Sequence, residues 1–571
     1  MKNSDMSKAE FTVLDNSNIV ESYPGITLPL TYSFAQIAYK GVFKGIVGAN
    51  LKNEDILAKY DHIFDNMISS YNGRIYYCIN NWYSLIDFMP FSKKIIPVWQ
   101  DMMGVASKEI YLGIRHKFTF WQKTKLYMNL FKNWLHVPND MNQLKLDFAD
   151  VKEYFNDTYK DNLSVKEYLA LFHEIEKRVL DKWYVTLYND MYAFIWTGLL
   201  KRKLARKGID VAKYISGLTS LESLKPVKTL FDIVKECGDD ADILSNPKVL
   251  EYLEAYGDRS PCELKLEVMT YREDPLLLEN RIREYARDKT KLDNMISNLS
   301  ACDDTKEKSG FYARRARIGI INREISRLNR SRIYGMVRRI FIRIGAILCH
   351  EGWIDEWSDV FYLQIQEIES GENSRNSGNR EDNGSNGNSE NREDNGNNGN
   401  SENREDNRNS GNSKNRESSN YSDFKRVVAK RKAEYREFEK LPSHTRLVFR
   451  GNKLIDEKIA ANWTGCFQGV GASTGCVTAE AVVLESPDSK LDVKGKIIVT
   501  KTTDPGWVFL LTMASGIISE KGSLLSHTAI ISRELNIPAS VAVDSATSVI
   551  KTGDIVKLDG NTGRIEIVQT N

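Results

Sequence analysis

The residues best suited to chemistry lie in one short run, Ser519-Glu-Lys-Gly-Ser-Leu-Leu-Ser-His-Thr-Ala-Ile-Ile-Ser-Arg-Glu-Leu-Asn-Ile-Pro-Ala539. Its pattern predicts a strand at Gly516–Ser519, a loop containing Gly522 and Ser523, and a helix over Thr528–Leu535. Ser526 has the residue type of an N-cap, which puts His527 in the first helical turn, followed by Thr528 and, one and a half turns on, Arg533. A helix N-terminus offers free N–H groups and a partial positive charge. That setting suits a neutral, nucleophilic imidazole, and the same N–H groups can hold the oxygens of a phosphoryl group placed on it. Of the seven histidines, only His527 has this setting.

A second set is Arg323-Glu-Ile-Ser-Arg327. On a helix Arg323 and Arg327 share one face, with Glu324 beside them. Two guanidinium groups can clamp phosphate oxygens in fixed geometry, and a carboxylate can take the proton of an acceptor hydroxyl.

The elements that must position these two sets differ in kind. Residues 30–369 read as overwhelmingly helical: Val165–Trp183, Asp190–Leu204 and Arg327–Ala346 carry apolar residues at three- and four-residue spacing. Aromatic residues are dense there (Trp82, Tyr83, Trp99, Trp121, Trp134, Trp183, Tyr184, Tyr192 and Trp196), fit either for core packing or for lining an organic-substrate pocket. Ser370–Asn420 contains no apolar side chain except the ring-bearing residues that follow it, and repeats Asn-Arg-Glu-Asp-Asn at twelve-residue intervals. Such a tract cannot recover its ordering entropy by burial, so 370–423 is expected to be a disordered low-complexity insertion. A returning helix and hinge are expected over 424–453. From 454 to 571 short β-branched runs alternate with glycines around the single helix, an α/β pattern. The fold class is therefore multidomain, α and α/β.

The histidine segment resembles the swivelling phosphohistidine domain of phosphoenolpyruvate-utilising enzymes. The flanks agree: Thr503-Asp-Pro-Gly-Trp507, Val556-Lys-Leu-Asp-Gly560 and Val470-Gly-Ala-Ser-Thr-Gly-Cys-Val477 are similar to that domain's other signatures. In the body, Tyr23-Pro-Gly-Ile-Thr-Leu-Pro-Leu-Thr-Tyr-Ser33, Asp359-Val-Phe-Tyr-Leu363 and Arg323-Glu-x-x-Arg327 resemble the central domain of the rifampicin-phosphotransferase and phosphoenolpyruvate-synthase branch. The resemblance implies a phosphotransferase component in which His527 carries a phosphoryl group. Arg323 and Arg327 would stabilise that group, and Glu324 would be the base for a small organic acceptor. Gly522, Ser523, Ser526, Thr528 and Arg533 would support the loop and helix cap. One departure stands at Ser523, where the family has a second glycine. No Gly-rich phosphate loop is found in the sequence, so ATP and Mg2+ are expected on a partner, a separate ATP-grasp protein, and no metal site in this chain. Pyruvate as acceptor, and a catalytically silent homologue, are the alternatives left open.

Composition narrows the rest. Over 571 residues, 79 Lys+Arg against 77 Asp+Glu give a net charge of +2, without the basic excess of a nucleic-acid binder. Apolar residues make up 41%, and the apolar runs Tyr192–Leu200 and Trp507–Ile518 are too short or broken to span a bilayer. Neither a secretory leader nor a C-x-x-C pair is found, so a cytoplasmic protein is expected.

Overall fold

The computed structural model describes residues 11–16, 19–85, 88, 118–209, 211–215, 225–237, 242–260, 262–286, 310–381, 412–451, 453–458, 466–487, 492–503 and 505–570. The body is built on helices α1 (Pro29–Leu51), α2 (Phe120–Thr158), α3 (Val165–Arg178), α4 (Tyr184–Ala205) and α5 (Phe311–His350). Thr119 and Ser164 close capping boxes at the starts of α2 and α3, satisfying N–H groups that have no partner within the helix. The core is aromatic: Phe172 meets both Phe34 and Phe341 edge to face, at ring separations of 6.0 and 5.6 Å.

Helix α5 is the spine. It carries Ala313, Ala316, Ile320, Glu324, Leu328 and Ser331 as buried residues on one winding face. Its contact with α4 is backbone-close. A Cβ added at Gly319 would stand 2.8 Å from the Cα of Ala193, and Asn189 on α4 donates its side-chain N–H to the Gly319 carbonyl at 2.9 Å. Further along, buried Arg338 is held by both carboxylate oxygens of Glu273, at 2.7 and 2.9 Å.

A five-stranded antiparallel sheet in the body departs from the all-helical expectation. It comprises β1 (Phe11–Asp15), β2 (Ile68–Tyr71), β3 (Arg74–Cys78), β4 (Arg446–Arg450) and β5 (Lys453–Lys458), in the order β2-β3-β1-β4-β5. Strand β4 pairs with β1 from Phe11↔Arg450 to Asp15↔Arg446, so residues beyond the low-complexity tract return to the N-terminal strand. This corrects two expected boundaries. Residues 454–458, expected in the swivelling module, are part of β5 in the body sheet, and the expected hinge is strand as far as Lys458. The physical reason is long-range pairing, which leaves no local signal in five residues.

The tract is also corrected at its ends. Helix α6 runs Ile365–Glu381 and α7 runs Asn412–Phe438, so the backbone is helical where the composition predicted disorder. Buried Ile365, Ile368 and Val428 anchor these helices to the core, and propagation from an anchored turn is cheap. The remainder, 382–411, lies outside the described residues.

The C-terminal module has an eight-stranded sheet of β6 (Cys466–Gln468), β7 (Val470–Ser473), β8 (Cys476–Leu484), β9 (Ile497–Thr500), β10 (Gly516–Ser519), β11 (Ala539–Val541), β12 (Ile555–Asp559) and β13 (Arg564–Gln569). The order is β6-β13-β12-β8-β9-β10-β11-β7, with β8 to β11 parallel to one another. Every residue of β9, β10 and β11 is buried, as parallel strands covered on both faces require. Helix α8 (His527–Glu534) follows β10, which places its start at the carboxyl ends of the parallel strands, where α/β sheets hold their ligands.

The tight α4–α5 crossing yields a test. Gly319→Val should lower stability by about 1–3 kcal/mol through overpacking against Ala193, read as a fall in Tm. An unchanged Tm would contradict the close approach.

Candidate functional site

The two chemical sets meet. The module docks so that His527 Nδ1 lies 3.3 Å from Glu324 Oε2, across 203 residues of chain, with both side chains fully buried. On the other side of the carboxylate, Arg327 Nε stands 3.8 Å from Glu324 Oε1. A carboxylate removed from water is tolerated when a guanidinium and an N–H donor face it. A carboxylate accepts hydrogen bonds, so His527 donates through Nδ1–H, which leaves the lone pair on Nε2. Nε2 is itself buried and makes no hydrogen bond among the described residues.

The loop that presents His527 is fixed by local geometry. Ser526 sits at φ −67°, ψ 159°, and its hydroxyl accepts the Ala529 N–H at 3.4 Å, the expected N-cap. Gly522 has φ +126°, a region side chains avoid, and a Cβ there would lie 2.8 Å from Ser526 Oγ. Ser523 fits where the family has glycine. Its carbonyl accepts both the N–H and the hydroxyl of Ser526, at 3.0 and 2.9 Å, and its own hydroxyl accepts the Leu525 N–H at 3.3 Å. Thr528 exchanges a hydroxyl hydrogen bond of 2.8 Å with Thr503, joining the ends of two segments matched by signature. Arg533 donates to the carbonyls of Ala472 at 3.0 Å and Leu524 at 2.9 Å, so it braces the loop from behind.

Beside the loop opens a cavity of about 250 Å³. Ser523 and Leu525 close one side, and α5 supplies Arg323, Arg327 and Arg330. Tyr39, Phe43, Trp82, Trp183 and Phe194 make its aromatic walls. This sorts the aromatic residues that spacing left undecided. Trp82 and Trp183 line the cavity, whereas Trp134 stacks on Trp196 with ring centroids 5.7 Å apart. Trp121 is exposed on α2, and Trp99 lies outside the described residues.

All four expected chemical residues are thus brought together, but Arg323 has a partner that the motif does not contain. Its Nε is 3.7 Å from Asp190 Oδ1 on α4. Asp190 and Arg330 carried no motif signal, although Arg330 continues the arginine face at i+7 from Arg323. Among the described residues no three His, Cys, Asp or Glu side chains gather to hold a metal ion. Likewise no helix among them is long and apolar enough to cross a membrane.

Residues 492–563 match the family described as PEP-utilising enzyme, mobile domain. The rifampicin phosphotransferase of Bacillus subtilis is 26% identical over 344 residues, 56% of this chain and 34% of that protein. That of Bacillus cereus is 34% identical over 152 residues, 26% of this chain and 17% of its own length. The phosphoenolpyruvate synthase of Aeropyrum pernix is 41% identical over 99 residues, 17% of this chain and 12% of that enzyme. The chain therefore spans about a third or less of the length of these curated relatives. Its C-terminal module is a PEP-utilising mobile domain, and the chain is related to the phosphotransferases and phosphoenolpyruvate synthases that carry it.

Gly522→Ala tests the loop. The strain of a side chain at this φ, about 1–3 kcal/mol, should move Ser526 and detach the cap. The expected outcome is a lower rate of His527 phosphorylation with the body's Tm little changed; a wild-type rate would show that the loop does not need this glycine.

Proposed function

We propose that this chain is a phosphotransferase component in which His527 takes a phosphoryl group and delivers it to an organic acceptor in the cavity beside α5. The contact between His527 and Glu324 carries this reading, because it brings a buried ring with a free Nε2 to the arginine face of the body. In loading, the Nε2 lone pair attacks phosphorus and the bond to the donor's leaving group breaks, its electron pair leaving with that group. In delivery, the acceptor hydroxyl oxygen attacks phosphorus, the P–N bond breaks, and the pair returns to Nε2. The hydroxyl proton passes to Glu324. Arg323 and Arg327 neutralise charge on the transferring oxygens.

His527 is fully buried in the docked arrangement, so a donor reaches it only when the module leaves the body. The stretch following β5 is the proposed pivot, and the donor is a nucleotide-binding unit holding ATP and Mg2+, proposed as a separate ATP-grasp protein. A cavity walled by aromatic rings favours a larger organic acceptor over pyruvate, which has little apolar surface to place against them.

Labelled phosphate supplied by the ATP-grasp partner, or by phosphoramidate as a chemical donor, should appear as acid-labile label that is lost in His527→Ala. Label persisting in that variant would sink the relay. Arg323→Ala should still take label but pass it on about a hundredfold more slowly. If labelling itself vanishes, the role given to Arg323 is wrong.

A further inference from the structure

Arg330 is the one arginine of the cavity left without an acidic neighbour. Arg323 faces Asp190 and Arg327 faces Glu324, but Arg330 makes no ion pair and no hydrogen bond among the described residues, and its Nε is buried. Its surroundings are phenols. Tyr23, Tyr39 and Tyr334 line the same cavity, and Tyr23 and Tyr334 share a hydroxyl hydrogen bond. Burial pushes all three phenols up, which keeps them neutral donors even though the charge of Arg330 acts in the opposite sense. Five N–H donors and a full positive charge thus face a partly dry cavity without an acceptor. An unpaired charge in that position costs stability unless a ligand supplies the counter-charge.

Position on α5 says where such a ligand reaches. Arg330 lies six residues beyond Glu324 and three beyond Arg327, about 9 and 4.5 Å along the helix axis at 1.5 Å per residue. Phosphoryl transfer is placed at Glu324, so Arg330 addresses the far end of the acceptor rather than the reacting oxygen.

We propose that Arg330, with the hydroxyls of Tyr23 and Tyr334, is a subsite for a carboxylate, and that the acceptor is a hydroxy acid whose hydroxyl and carboxylate are separated by an aromatic body. The inference rests on the cavity being the acceptor site. A planar ring between the two polar ends fits walls made by Phe43, Trp82 and Trp183. A guanidinium with two phenolic donors discriminates a carboxylate from its ester by charge and by hydrogen bonds together.

The test is calorimetric binding of para-hydroxyphenylpropanoate and its methyl ester to the full chain. The acid should bind at least about tenfold more tightly than the ester. Arg330→Met should abolish that preference, Arg330→Lys should restore part of it, and the Tm of Arg330→Met without ligand should be no lower than that of the wild-type protein. Equal binding of acid and ester, a preference that survives in Arg330→Met, or no binding of either probe overturns the inference. His527→Ala should leave the preference intact, which separates the two readings. If His527 takes label but the acid is not preferred, only the subsite falls; if the acid is preferred but no label is taken, only the relay falls.

Discussion

Everything chemical in this molecule depends on one contact, between a histidine in the small module and a carboxylate in the large body. His527 and Glu324 meet with no exposure to solvent on either side. A buried carboxylate has given up its hydration, worth several kcal/mol, and holds its place only while the imidazole N–H and Arg327 face it. Release of the module returns both groups to water, so the docked and undocked arrangements differ by large terms that nearly offset. A near-balance of that kind is what a carrier needs, since it must neither stay docked nor fail to dock. Phosphorylation adds roughly two negative charges, which favour the arginine face of α5 over solvent.

Helix α5 is the ruler along which these events are laid out. It is held rigid by its backbone-close crossing with α4 and by the bidentate Arg338–Glu273 pair. Arg323, Arg327 and Arg330 recur on one face at i, i+4 and i+7, each with a different counterpart: Asp190, Glu324, and a group the cavity is shaped to admit. A single rigid element can therefore set both the place of transfer and the length of the acceptor.

The site was more legible in the sequence than the fold around it. The loop from Gly522 to His527 could be read because each residue answers a local demand: a positive φ, an N-cap, a first-turn imidazole. The strands at Ile497–Thr500, Gly516–Ser519 and Ile555–Asp559 were legible because fully buried parallel strands read as apolar runs. The body sheet was not, since its strands are short and its key pairing joins Phe11–Asp15 to Arg446–Arg450 across almost the whole chain. Nor could spacing show that Asp190 would face Arg323, or that Trp82 and Trp183 would line a cavity while Trp134 and Trp196 stack together. Such distinctions arise only when helices distant in sequence are packed against each other.

The central claim is that Glu324 holds Nδ1–H and so directs the phosphoryl group to the other ring nitrogen. Phosphorus–proton correlation spectroscopy of the phosphorylated chain, labelled at histidine, reads the attachment site directly. The account predicts a single phosphohistidine substituted at Nε2 of His527. Phosphorus attached at Nδ1, or at any other residue, would contradict it.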